Sequence, residues 1–139
     1  MKILFVCRGN VGRSQIAEEV FNSLTTKHTS ISAGTEVFEN ENQKIGSLES
    51  ASNVLNVLRE IGIEAKDNIR TQLTLQMLNE ADLVVSMAED ESSPDYLLNS
   101  NNAQFWDITD PFKQSLGFTR DLRIKITKLV TKLLTRLEQ

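Results

Sequence analysis

The single cysteine of the chain, Cys7, is followed by Arg8-Gly9-Asn10-Val11-Gly12-Arg13-Ser14. A thiol reacts as its thiolate, which needs local positive potential. Converging backbone N–H groups, an arginine and a helix N-terminus all supply it. The same features hold a phosphate-like dianion against the sulfur. Gly9 and Gly12 give the backbone freedom for a tight anion nest, and asparagine, here Asn10, is among the non-glycine types most tolerant of a left-handed conformation. Arg13 can grip two phosphate oxygens in a planar fork that an ammonium cannot match. Ser14 can donate a hydrogen bond to the sulfur. Residues Arg8, Gly9, Asn10, Val11, Gly12, Arg13 and Ser14 therefore read as a phosphate-binding loop with Cys7 placed for in-line attack.

Attack on a phosphoester expels an alkoxide or phenoxide that needs a proton, and the resulting phosphocysteine needs an activated water. One carboxylic acid can serve both steps. Asp110, in Trp106-Asp107-Ile108-Thr109-Asp110-Pro111-Phe112, stands on a proline-stiffened loop and is the candidate. Asp107 is its local rival, and Phe112 is either a wall of the substrate pocket or core. A free cysteine is ordinarily a small buried hydrophobe, and an Asp-Pro pair is ordinarily a turn. What favours chemistry here is context: the loop joins an apolar run to an amphipathic helix.

The elements that must position these residues follow from periodicity. Met1-Lys2-Ile3-Leu4-Phe5-Val6 reads as a buried strand. From Ser14, Ile16, Ala17, Val20, Phe21 and Leu24 fall on one helical stripe. Thr29 to Ala33, stopped by Gly34, reads as a second strand. A helical period runs from Leu48 to Ile61, with Gly62 where a C-terminal cap belongs. A short helix is expected around Leu75 to Asn79, a buried strand over Ala81 to Met87, a weaker fourth strand over Gln104 to Ile108, and a long helix carrying Leu122, Ile126, Leu129, Val130, Leu133 and Leu137. Alternating strands and helices argue for a parallel sheet covered on both faces. Ligands of such sheets bind at the carboxyl ends of the strands, near a topological switch point.

Composition excludes several function classes. The chain of 139 residues suits one domain with one continuous core. A formal net charge of -4 and the lack of any basic run give no footprint for nucleic acid or an anionic membrane. One cysteine and one histidine leave neither an internal disulfide nor a zinc-ligand cluster, so no metal site is expected and a cytoplasmic setting fits. The N-terminal apolar run is too short to span a membrane and lacks the pattern of a secretory cleavage site. The basic residues Lys125, Lys128, Lys132 and Arg136 read as the solvated side of the last helix.

Val6-Cys7-Arg8-Gly9-Asn10-Val11-Gly12-Arg13-Ser14 resembles the signature of the low molecular weight protein tyrosine phosphatases. The likeness continues through Ser32-Ala33-Gly34-Thr35, Gly62-Ile63, Arg70 with Gln72-Leu73-Thr74, Ala81 to Met87, and Asp110-Pro111. It implies a single phosphatase-like domain over 1–139, of α/β class: three α/β/α layers, a four-stranded parallel sheet and a phosphate-binding loop after the first strand. It also implies a two-step hydrolysis that needs no metal or cofactor, acting on a phosphotyrosine-bearing protein. Cys7 would be the nucleophile, Arg13 the phosphate clamp, and Asp110 the acid and then the base. Asn10 would orient the loop, and Ser14 would stabilise the thiolate.

Three departures from the family pattern stand out. Many members carry a second cysteine where this chain has Gly12, so the usual reversible disulfide is missing. The paired aromatics after Asp-Pro are reduced to Phe112 with Lys113. Arg8 replaces a more usual uncharged residue, favouring acidic sequence around the phosphate or pointing to solvent.

The nearest alternative is arsenate reductase, towards which Ser14-Gln15-Ile16-Ala17-Glu18 leans; lacking further cysteines, the chain would need an external thiol reductant. Members that favour phosphoarginine tend to have threonine at the position of Val11, which here supports phosphotyrosine. A non-catalytic anion- or partner-binding domain is the alternative of another class, and it leaves the set Cys7, Arg13 and Asp110 unexplained.

Overall fold

The structure, a computed structural model, describes residues 1–138. Strand β1 (Lys2–Cys7) leads through the Cys7 loop into helix α1 (Arg13–Leu24), and β2 (Thr29–Gly34) follows. Two 3-10 turns, Ile45–Ser47 and Glu49–Ala51, precede helix α2 (Ser52–Arg59). After helix α3 (Leu75–Glu80) come β3 (Leu83–Ser86), the short helix α4 (Asp95–Leu98), β4 (Ala103–Phe105) and the long helix α5 (Leu116–Leu137).

All pairings in the sheet are parallel, in the order β2-β1-β3-β4. Side chains alternate across β1, so its two faces serve two cores. Ile3, Phe5 and Cys7 pack with α1, α2 and α5, whereas Leu4 and Val6 pack with Leu73, Leu78 and Leu97 on the other side. The chain leaves β1 towards β2 on one side and returns to β3 on the other. That reversal opens a crevice at the carboxyl end of β1, where the Cys7 loop lies.

Several elements differ from the sequence reading. The helix expected from Leu48 to Ile61 is shorter, because the polar Glu49-Ser50 stretch is taken up in a 3-10 turn before α2 begins. It ends as predicted: Gly62 takes φ +82°, and Ile63 N–H reaches back to Leu58 O at 3.0 Å. The fourth strand covers Ala103–Phe105 rather than Gln104 to Ile108. Trp106 N–H still donates to Ser86 O at 2.9 Å, but β3 ends at that serine and offers no further partner. Helix α5 starts six residues before Leu122, with the Ser115 hydroxyl capping Phe118 N–H at 3.0 Å. Helix α4 had no periodic signal in so short a segment.

Candidate active site

Cys7 closes β1 and is buried at the floor of a cleft of about 580 Å³. The loop behind it turns through Asn10 at φ +55°, the left-handed conformation its type suits. Thr71 N–H donates to Asn10 Oδ1 at 2.8 Å, which fixes how the amide is oriented. Asn10 Nδ2 therefore faces the hydroxyls of Ser14 (2.8 Å) and Ser32 (3.0 Å). Because Ser14 Oγ already accepts from that amide, its own hydrogen is free for Cys7 Sγ, 2.9 Å away. Asn10 N–H donates to the same sulfur at 3.3 Å. Two donors thus converge on Sγ, as an anionic sulfur requires.

Arg13 opens α1 and is 2% exposed. Its Nη1 donates to Met87 O (2.6 Å), Glu89 Oε2 (2.7 Å) and Ile108 O (3.0 Å), and Nη2 donates to Glu89 Oε1 (3.2 Å). Asp110 Oδ2 lies 3.7 Å from Nη2. Burial works against the charge on Arg13, but the Glu89 hydrogen bonds and the negative Cys7, Glu89 and Asp110 outweigh it and raise the guanidinium pKa. The hydrogen bonds from Arg13 hold Glu89 below the usual carboxylate range.

Asp110 lies in the same cleft as Cys7 and Arg13; Asp107 does not line it, and its carbonyl instead accepts from Lys125 Nζ at 3.1 Å. Asp110 Oδ1 accepts from Phe112 N–H at 3.0 Å, an Asx turn that leaves Oδ2 directed towards Arg13. Phe112 stands at the cleft mouth, 56% exposed, with Lys113 Nζ 5.3 Å above its ring. Arg8 turns its guanidinium to the rim, where Nε pairs with Glu36 at 2.6 Å. Gly9, Val11 and Gly12 complete the lining nearest the sulfur, joined by Leu48, Val54 and Pro111 as apolar wall.

Several supports were not found from sequence. Buried Gln15 donates through Nε2 to Asn10 O and Ile69 O, both at 3.1 Å, while its Oε1 accepts from Asn68 at 3.2 Å. Arg70 Nε donates to Gly9 O at 3.0 Å, bracing the outer turn of the loop. Glu89 gave no signal beyond its place after a predicted strand. Among the described residues no group of three or more histidine, cysteine or acidic side chains is placed to hold a metal ion.

A parallel α/β sheet with a cysteine loop at its switch point and a buried arginine beside it defines a class, the cysteine-based phosphomonoesterases. Residues 2–139 match the family described as low molecular weight phosphotyrosine protein phosphatase, and the chain belongs to that family. The Protein-arginine-phosphatase of Bacillus subtilis (strain 168) is 26% identical over 159 aligned positions, covering 100% of this chain and 98% of that protein. Arsenate reductase 2 of Staphylococcus haemolyticus (strain JCSC1435) is 24% identical over 135 residues, 96% of each chain. Among solved structures, the low molecular weight protein tyrosine phosphatase from T. tengcongensis superposes with a TM-score of 0.83 at 27% identity, covering 98% of this chain and 99% of that one.

Proposed function

We propose that the protein hydrolyses phosphotyrosine in proteins through a phosphocysteine on Cys7. The observation that carries this reading is the cysteine sulfur held by two donors, Ser14 Oγ and Asn10 N, on the floor of the cleft that also contains Arg13 and Asp110. The Cys7 thiolate attacks phosphorus as the ester P–O bond breaks, and Asp110 gives its proton to the departing phenolate. Water then attacks the phosphocysteine, Asp110 takes the proton, the P–S bond breaks, and inorganic phosphate leaves. Arg13 and the loop N–H groups bear the charge of the equatorial oxygens.

The apolar wall of Val11, Leu48, Val54 and Pro111, with Phe112 at the mouth, suits an aryl ring. The chain has one cysteine, so reduction of arsenate would consume an external thiol at each turnover.

Steady-state hydrolysis of para-nitrophenyl phosphate, a phosphotyrosine peptide and phosphoarginine, beside thiol-dependent arsenate reduction, tests the reading. We expect the phosphotyrosine peptide to be preferred, Cys7→Ser to abolish turnover, and Asp110→Ala to lower kcat by about a hundredfold. Preferred turnover of phosphoarginine or arsenate would replace the substrate assignment. Absence of all four activities would leave an anion-binding domain.

A further inference from the structure

Gly12 caps the N-terminus of α1 at φ −110° and ψ −86°, and its negative φ does not by itself call for glycine. The space around it does. A Cβ on Gly12 would stand 3.0 Å from Pro111 Cγ, 3.6 Å from Pro111 Cδ and 3.6 Å from Val54 Cγ2. Pro111 is buried, and it directly follows Asp110. Its ring therefore rests on the phosphate-binding loop at Gly12, the one of the loop's two glycines that faces it.

We propose that Gly12 is the seat of the acid loop: its missing side chain lets Pro111 settle against the phosphate-binding loop and thereby sets where the Asp110 carboxyl stands. The loop is tied down on either side of this contact. Ile108 O accepts from Arg13 Nη1 at 3.0 Å, and Gln114 O accepts from Asn53 Nδ2 at 3.1 Å. Between these ties Asp110 and Pro111 form a tight turn, with Gln114 N–H on Pro111 O at 3.0 Å and Phe112 N–H on Asp110 Oδ1 at 3.0 Å. A ring displaced by a few tenths of an ångström carries the neighbouring carboxyl with it, and proton transfer is steep in distance. Gly12 is thus a positioning residue, acting through Pro111 on the group that protonates the leaving oxygen.

The inference rests on Asp110 as general acid, and its test separates the two. kcat/KM is measured for aryl phosphates of graded leaving-group pKa with wild type, Gly12→Ala, Asp110→Ala and the pair combined. Leaving groups that need a proton report the acid, and those that depart unaided do not. For Gly12→Ala we expect a loss that grows with leaving-group pKa, about tenfold for phenyl phosphate against about twofold for 2,4-dinitrophenyl phosphate. The combined variant should lose no more of that slope than Asp110→Ala alone.

Removing the atom that would clash gives a second readout: in a Pro111→Ala background, Gly12→Ala should carry no leaving-group-dependent penalty. An equal loss across all substrates, no loss at all, or an undiminished penalty without the ring would overturn the seat. An Asp110→Ala variant without leaving-group dependence would instead overturn the acid assignment.

Discussion

Asn10 shows how much geometry one side chain can enforce. Its backbone is left-handed, its carbonyl oxygen takes Thr71 N–H, and its amide feeds the hydroxyls of Ser14 and Ser32. Removing the amide leaves those buried groups short of partners. Asn10→Ala should destabilise the fold by about 2–4 kcal/mol, the sum of lost buried hydrogen bonds and a Cβ at positive φ. Asn10→Gly removes the backbone strain but not the lost bonds, so it should regain only about 1 kcal/mol by urea denaturation and remain impaired in kcat. Wild-type kcat in Asn10→Gly would show that the amide is dispensable. The core of the site was legible in the sequence because Cys7, Asn10, Arg13 and Ser14 lie in one continuous loop whose chemistry is local. The roles of Glu89 and Arg70 were not legible, because each acts across the fold on an atom distant in sequence, Glu89 on Arg13 and Arg70 on Gly9 O; Gln15 is only partly of this kind, reaching both nearby Asn10 O and distant Ile69 O.

Between elements, α5 and α2 are joined at Glu60, which caps the C-terminus of α2. Arg120 reaches both its carboxylate oxygens, with Nη2 at 2.6 Å from Oε2, while Arg123 Nη1 binds Oε1 at 2.8 Å and Val57 O at 2.6 Å. Hydrogen bonds from Arg120 and then Arg123 hold the Glu60 pKa at about 2, against an ordinary 4.5, although desolvation opposes them. Isolated exposed ion pairs contribute little, but two arginines on one carboxylate form a network. Since the folded pKa is the lower one, the stabilisation is complete above the ordinary value and is lost as pH falls through about 2. Wild type should therefore melt above Glu60→Gln near neutrality, and the gap in Tm should close as the buffer is taken down to that pH; a pH-independent gap would deny the ion pairs any role. Sequence periodicity found the bodies of these helices and the Gly62 end of α2, and missed where they start. Ser115 starts α5 through a cap rather than an apolar residue, and the turns before α2 lie in a segment whose polar Glu49 and Ser50 interrupt the stripe.

Across the whole molecule, the site is also a junction. The guanidinium of Arg13, at the start of α1, takes up carbonyls or carboxylates from the segment after β3 at Met87 and Glu89 and from the segment after β4 at Ile108. Three stretches distant in the chain meet on one planar cation at the switch point of the sheet. The unfolded chain cannot assemble such a set, so an oxyanion that binds the loop binds only the folded state, and its binding energy adds to stability. Inorganic phosphate at a hundred times its Kd should contribute about 2.7 kcal/mol and raise Tm by roughly 10 °C in a domain of this size. Arg13→Lys keeps the charge but cannot serve acceptors on several sides of a plane at once. It should melt below wild type without phosphate, and the phosphate-induced shift should shrink to a small fraction of the wild-type value. An undiminished shift in Arg13→Lys, read by differential scanning fluorimetry across a phosphate titration, would mean that charge alone holds the oxyanion. The planar fork at the junction would then serve the fold rather than the ligand.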